Sequence, residues 1–277
     1  MTKGKQAVED HYTRSGLGET ILEALQRAGK DPNNLTLEDL APVDHMHIRG
    51  REATIELARL ASIDRDAHVL DVGCGIGGPA RHLAAEFGCR VTGLDLTEEY
   101  IRVATMLAER TGLSDRVDFR HGDAIDMPFG DASFDVVWTQ HTSMNIADKA
   151  GLYSEMRRVL KLGGRLAVYD VVAGAGGEIH FPVPWARDPS VSFLISADGR
   201  RELLEKTGFR VLTWRDATRP ALDWFRRMTS KAQAGGPPPL GRHLLIGPDY
   251  WVMAQNQVRN LEENRVALVQ AVLDRVR

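Results

Sequence analysis

Hydrophobic and polar positions divide the chain into two kinds of segment. Over residues 6–64 the apolar residues recur at helical spacing. Ile21, Leu22, Ala24 and Leu25 make one stripe, and Ile55, Leu57 and Leu60 mark a further helix near 51–61. Thr36-Leu37-Glu38-Asp39 has the Thr-x-x-acid pattern in which hydroxyl and carboxylate cap each other's backbone N–H, so a helix is expected to begin there. From residue 65 the pattern becomes short apolar runs separated by amphipathic stretches. It predicts strands at 68–72, 90–94, 117–120, 134–139 and 165–172, with helices at 79–87, 98–110 and 149–160. Helical spacers of that length join parallel strands, which predicts an α/β fold with a doubly wound, mostly parallel sheet.

After Val172 the regularity lapses. AGAGGEIHFPVPWARDPS is rich in Gly and Pro and reads as a loop anchored by Phe181 and Trp185. A helix at 197–207 and a strand at 209–215 resume the pattern. Residues 216–264 read as mostly helical, interrupted by Gly235-Gly236-Pro237-Pro238-Pro239. RVALVQAVLDRVR fits helix or strand, and its four valines favour a seventh strand. The expected organisation is a helical cap (1–64), a core (65–215), a helical insertion (216–264) and a final strand (265–277).

Composition narrows the partners rather than the fold. With 277 residues, 43% hydrophobic and 26% charged, the chain can bury one large core. A formal net charge of -3, with acids and bases interspersed, gives no electrostatic case for nucleic acid. MTKGKQAVEDHY lacks the apolar run of a signal peptide and no stretch reaches 18 apolar residues, so a cytoplasmic protein without a membrane partner is expected. Cys74 and Cys89 form neither a disulfide framework nor a metal spacing. His45 and His47, two apart in PVDHMHIRG, lack the i, i+4 spacing and further ligands of a zinc set, so no metal is expected.

The chemistry concentrates in VLDVGCGIGGPAR. Gly73, Gly75 and Gly78 satisfy the G-x-G-x-x-G of a dinucleotide site, which leaves a nicotinamide cofactor open. Asp71 closes the strand just ahead of the loop, where a carboxylate repels a pyrophosphate and suits a ligand with a cationic amino group. Asp95, with Leu96 after it, ends the second strand and can accept ribose hydroxyls in either ligand class. Asp123 and Ala124 follow the third strand, where an Asp can accept the exocyclic amine of an adenine.

With these segments in order, the sequence resembles the class I S-adenosylmethionine-dependent methyltransferases. VLDVGCGIGG matches their first motif, GLDLTEEYI the second-strand acid, FRHGDAIDMPFGDASFDVV the adenine segment, and RVLKLGGRLAVYD the approach to the fifth strand, with Leu162 where Pro is usual. GCGIGGPARHLA and PVDHMHIRGREATIELA bring it nearer to the sarcosine/dimethylglycine, phosphoethanolamine and tocopherol methyltransferases. The resemblance implies a seven-stranded sheet whose last strand runs antiparallel beside the sixth, an insertion over the substrate, and a small-molecule acceptor. It implies S-adenosylmethionine as cofactor and S-adenosylhomocysteine as product. Asp71, Gly73, Cys74, Gly75 and Gly77 then frame the methionine end, Asp95 and Leu96 the ribose, Asp123 and Ala124 the adenine, and Gln140 the neighbourhood of the sulfonium.

For catalysis, His141 stands where the phosphoethanolamine enzymes carry an Asp that positions and deprotonates substrate. It keeps an acid/base group but gives up a fixed negative charge. Tyr12, in DHYTRSG, resembles the lid tyrosine of those enzymes. Packing alone is the competing account of each. His45, His47, Phe181 and Trp185 are the candidate substrate contacts. The expectation is methyl transfer to nitrogen or oxygen of a small metabolite by a monomer or homodimer. Carbon methylation of an aromatic or isoprenoid compound is the alternative, with a nicotinamide oxidoreductase and a non-catalytic cofactor-binding partner further off.

Overall fold

The computed structural model describes residues 3–235 and 240–277, so the Pro-rich part of the expected link at 236–239 lies outside the described residues. Four helices lie in the segment expected as the cap: α1 (Lys3–Tyr12), α2 (Leu17–Arg27), α3 (Leu37–Asp44) and α4 (Gly50–Ala61). The capping box forms as its sequence predicts. The Thr36 side chain accepts from the Asp39 N–H and the Asp39 carboxylate accepts from the Thr36 N–H.

Strands and helices then alternate through β1 (His68–Val72), α5 (Gly78–Phe87), β2 (Arg90–Asp95), α6 (Glu98–Arg110), β3 (Val117–His121), β4 (Phe134–Gln140), α7 (Lys149–Val159), β5 (Leu160–Ala173), α8 (Ala197–Lys206) and β6 (Phe209–Asp216). Next come α9 (Thr218–Gly235), α10 (His243–Ile246), α11 (Tyr250–Glu262) and β7 (Val266–Arg275). The sheet order is β3-β2-β1-β4-β5-β7-β6, with β7 antiparallel to both neighbours and the other pairings parallel. This is the Rossmann-like seven-stranded arrangement expected from the sequence.

Strand alternation sorts the core onto two faces of the sheet. Trp138, Ala167, Tyr169 and Val171 pack with α4 and α5 on one face, while Val137, Leu166 and Val168 meet α7 and α8 on the other. A third apolar cluster joins α2 and α3 to α6 through Ile21, Leu25, Val43, Val103 and Leu107. The cap is thereby seated over the carboxyl ends of β1, β2 and β4, the edge where open α/β sheets bind ligands.

Candidate active site

The loop after β1 can approach a ligand because it carries little side chain. Gly73 has φ +76, and a Cβ there would run into the Thr142 side chain. Gly78 opens α5 so close to α3 that a Cβ would meet the Asp44 carbonyl. Gly77 turns the loop as the residue before α5 and does not line the cavity; in this it departs from the role expected of it.

Three carboxylates follow the cavity edge. Asp71 is buried, and its Oδ2 has no hydrogen-bond partner. Burial first, and then the neighbouring Asp95, raise its carboxyl to about 8. Asp95 is held differently, with Oδ2 accepting from the Gly75 N–H at 2.8 Å and Oδ1 from the Thr97 N–H at 2.9 Å. Each oxygen keeps a lone pair for a ribose hydroxyl. Asp123 accepts from the Ile125 N–H at 3.0 Å and pairs with Lys5 of α1, which ties that helix to this edge of the cavity. Leu96, Ala124 and Cys74 complete this wall, and burial raises the Cys74 thiol well above its ordinary value, so it is an apolar filler rather than a nucleophile.

The carboxylates open into one cavity of about 410 Å³ that continues under the cap. Its far wall is largely apolar, with Met46, Met144, Trp185, Phe193 and Ile246 among the residues there. Tyr12 reaches in from α1 and donates to Asn145 Oδ1 at 2.9 Å, and Asn145 Nδ2 in turn donates to the carbonyls of Trp185 and Val191 at 2.7 and 2.8 Å. One amide thus ties together the cap, the turn after β4 and the loop after β5.

Gln140 and His141 lie where the apolar wall meets the carboxylate edge. His141 holds a left-handed backbone (φ 54) through its N–H to the Tyr169 carbonyl at 2.8 Å. Its ring lies beside Tyr169 at 5.1 Å, and Nε2 is buried without a partner. Burial, with Arg242 and Arg200 adding smaller effects of the same sign, pushes the imidazole down to about 3, so it is neutral at physiological pH.

His47 lines the cavity, with Nε2 2.9 Å from the Gly50 carbonyl. His45, expected as a substrate contact, does not line it; it sits behind Thr54 and beside His82. Among the described residues no group of histidines, cysteines and carboxylates is placed to hold a metal. Phe181, expected as a pocket wall, packs partly buried against the core on the α4/α5 face, whereas Trp185 does line the cavity. Sequence reasoning missed Asn145, Phe193, Ile246 and Gln257.

The comparisons with known proteins agree with this geometry. A family model described as a methyltransferase domain matches residues 70–168. The O-methyltransferase resE of Aspergillus sclerotiorum is 31% identical over 198 residues, covering 69% of this chain and 74% of that protein. The chain belongs to the S-adenosylmethionine-dependent methyltransferases. The sterol 24-C-methyltransferase of Saccharomyces cerevisiae is 30% identical to this family member over 255 residues, 82% of this chain and 66% of the yeast protein. Against the sterol 24-C-methyltransferases it matches, the chain spans 30% to 66% of their length. Phosphoethanolamine N-methyltransferase 2 of Haemonchus contortus, solved with S-adenosyl-L-methionine, shares the fold at a TM-score of 0.75 and 20% identity, covering 98% of this chain and 60% of that one. Among the described residues no helix is long and apolar enough to cross a membrane.

The residues fit the family's cofactor. The buried, unpartnered Asp71 oxygen matches an ammonium, Gly75 leaves open space on the cavity wall for an amino-acid chain, and Asp95 retains acceptor capacity for a ribose.

Proposed function

We propose that this chain transfers the methyl group of S-adenosylmethionine to a hydroxyl oxygen of a largely apolar small molecule, a phenol or enol. The observation that carries this reading is His141: a neutral imidazole with an unpartnered Nε2, at the edge of a cavity whose other walls are mostly apolar. When bound, S-adenosylmethionine supplies an electrophilic methyl carbon on a sulfonium whose positive charge is lost as the methyl leaves. A hydroxyl oxygen must shed its proton as it attacks, and the imidazole takes that proton at Nε2. Because the ring becomes cationic just when a cation disappears beside it, the net charge of the chamber is unchanged.

The cap contributes position and dryness. Tyr12, held by Asn145, and Trp185 close the side opposite the sheet, and excluding water keeps the methyl group from competing nucleophiles. Met46, Met144, Phe193 and Ile246 suit the apolar body of such a substrate. The O-methyltransferases among the relatives support the choice of oxygen.

Incubation with methyl-labelled cofactor and a panel of phenols, amines and isoprenoids tests the reading. Label is expected on oxygen, and His141→Ala should slow turnover by about 10²-fold while leaving S-adenosylhomocysteine affinity unchanged. Label on carbon or nitrogen, or full turnover without the imidazole, overturns it.

A further inference from the structure

Gln140 is 7% exposed and its amide is oriented by groups that can only act one way. The indole Nε1–H of Trp138 donates to Gln140 Oε1 at 3.2 Å, and an indole nitrogen never accepts. Thr54 donates its hydroxyl to the same oxygen at 3.2 Å. The direction of that bond is fixed one step further back. The Gly50 carbonyl can only accept, so the His47 proton is on Nε2 and that nitrogen, 3.1 Å from Thr54 Oγ1, does not take the hydroxyl hydrogen; Gln140 Oε1 at 3.2 Å is a nearer acceptor for it than His45 Nδ1 at 3.5 Å. Rotating the amide by half a turn would set its NH2 against the Trp138 N–H. The other end, Nε2, is thereby committed to the remaining direction, and it is buried with no partner. Gln140 lines the same cavity as His141, its neighbour in the chain.

A buried amide with two unused N–H donors costs stability unless something accepts them. We infer that Gln140 is a specificity residue that donates to an oxygen of the methyl acceptor lying next to the hydroxyl being methylated. The pair then reads two adjacent oxygens. His141 takes the proton of the reacting one, and Gln140 donates a hydrogen bond to a carbonyl, ether or second hydroxyl beside it. The substrate class becomes an oxygen-flanked hydroxyl, such as an ortho-oxygenated phenol or the enol of a dicarbonyl. A lone hydroxyl on a hydrocarbon frame leaves the amide unpaired. Selectivity against a partner lacking the matching polar group is stronger than selectivity by apolar fit alone. This inference rests on the oxygen-acceptor reading above but uses a different atom.

The matched pair 2-methoxyphenol and 2-ethylphenol, differing by one oxygen for one methylene, separates the two. In wild-type protein saturated with S-adenosylhomocysteine, the assigned side-chain amide resonances of Gln140 should move on titration with 2-methoxyphenol and stay in place with 2-ethylphenol. Gln140→Met, which keeps the shape and removes the donors, should lower the ratio of kcat/KM for 2-methoxyphenol over 2-ethylphenol about ten- to hundredfold. Resonances unmoved by 2-methoxyphenol, or already shifted in full by S-adenosylhomocysteine alone, assign the donors elsewhere and overturn the inference. Should the resonances move selectively while neither phenol is methylated, the specificity role stands and the proposed reaction fails instead.

Discussion

Two aspartates on neighbouring parts of the sheet are both sealed from solvent and have opposite fates. Asp170 of β5 accepts from the N–H groups of Ser143 and Val171, at 3.2 and 3.0 Å, and its Oδ2 lies 3.0 Å from Arg200 Nη1, in an ion pair with both side chains fully buried. Arg200 also donates to Ser143 Oγ at 2.7 Å, so the cluster clamps the turn that carries Met144 and Asn145 into the cavity. Asp71 of β1 is just as deep, yet one of its oxygens has no partner at all. Paired to a buried arginine, Asp170 is scaffold; Asp71, with no cation beside it and one oxygen unpartnered, is left for a ligand. The difference distinguishes the site from its support better than burial or residue type does.

The largest effect expected from breaking this contrast is on the scaffold side. Arg200→Met leaves Asp170 buried without its cation and should destabilise the fold by about 3–5 kcal/mol, read by denaturant unfolding. A loss below about 1 kcal/mol would mean that the pairing is not what separates the two sites. Next, Asp71→Asn keeps the shape but cannot ionise against a bound ammonium, and should weaken S-adenosylhomocysteine binding by about 2–3 kcal/mol in calorimetry. Unchanged affinity would remove Asp71 as the ammonium partner.

The same substitution sharpens the contrast in the ligand-free protein. The folded Asp71 carboxyl sits near 8, above its ordinary value of 3.8, so the folded state holds a proton that the unfolded chain has released. Wild-type stability is therefore lost progressively as pH rises from about 4 to about 8, and is unaffected by this group below that window. Asp71→Asn should raise the melting temperature by an amount that grows across that interval and then levels. A constant offset at all pH values contradicts the assignment. The smallest effect concerns the cap. Tyr12→Phe removes the hydroxyl that donates to Asn145 and should weaken closure by about 1 kcal/mol, seen as a severalfold rise in KM with melting temperature preserved.

How far the sequence foretold these features depends on whether a feature is local. The strands and the Thr36 cap were legible because period-two alternation and a three-residue capping pattern are properties of adjacent residues. Even the choice of strand over helix at Val266–Arg275 rested on nearby valines. Asp71 and the glycine loop were legible for a similar reason, since one strand and the turn after it present them, and Asp95 was legible as the acid that closes the next strand. The placement of Phe181 and His45 was not, because both depend on how loops settle after the sheet has formed. Phe181 faces the core rather than the cavity, and Thr54 stands between His45 and the site. The orientation of the Gln140 amide is further from view, being set jointly by residues 54, 138 and 47 from three separate segments.

The position of β7 has a consequence for how the molecule is made. It lies inside the sheet between β5 and β6, so ribosomal synthesis delivers an interior strand after every other strand has already emerged. The five-strand half from β3 to β5 can assemble while the nascent chain is still growing, whereas the β6 side must wait with an unsatisfied edge on each side of the gap. Chaperone dependence, and aggregation when translation stalls near residue 265, should therefore trace to that gap.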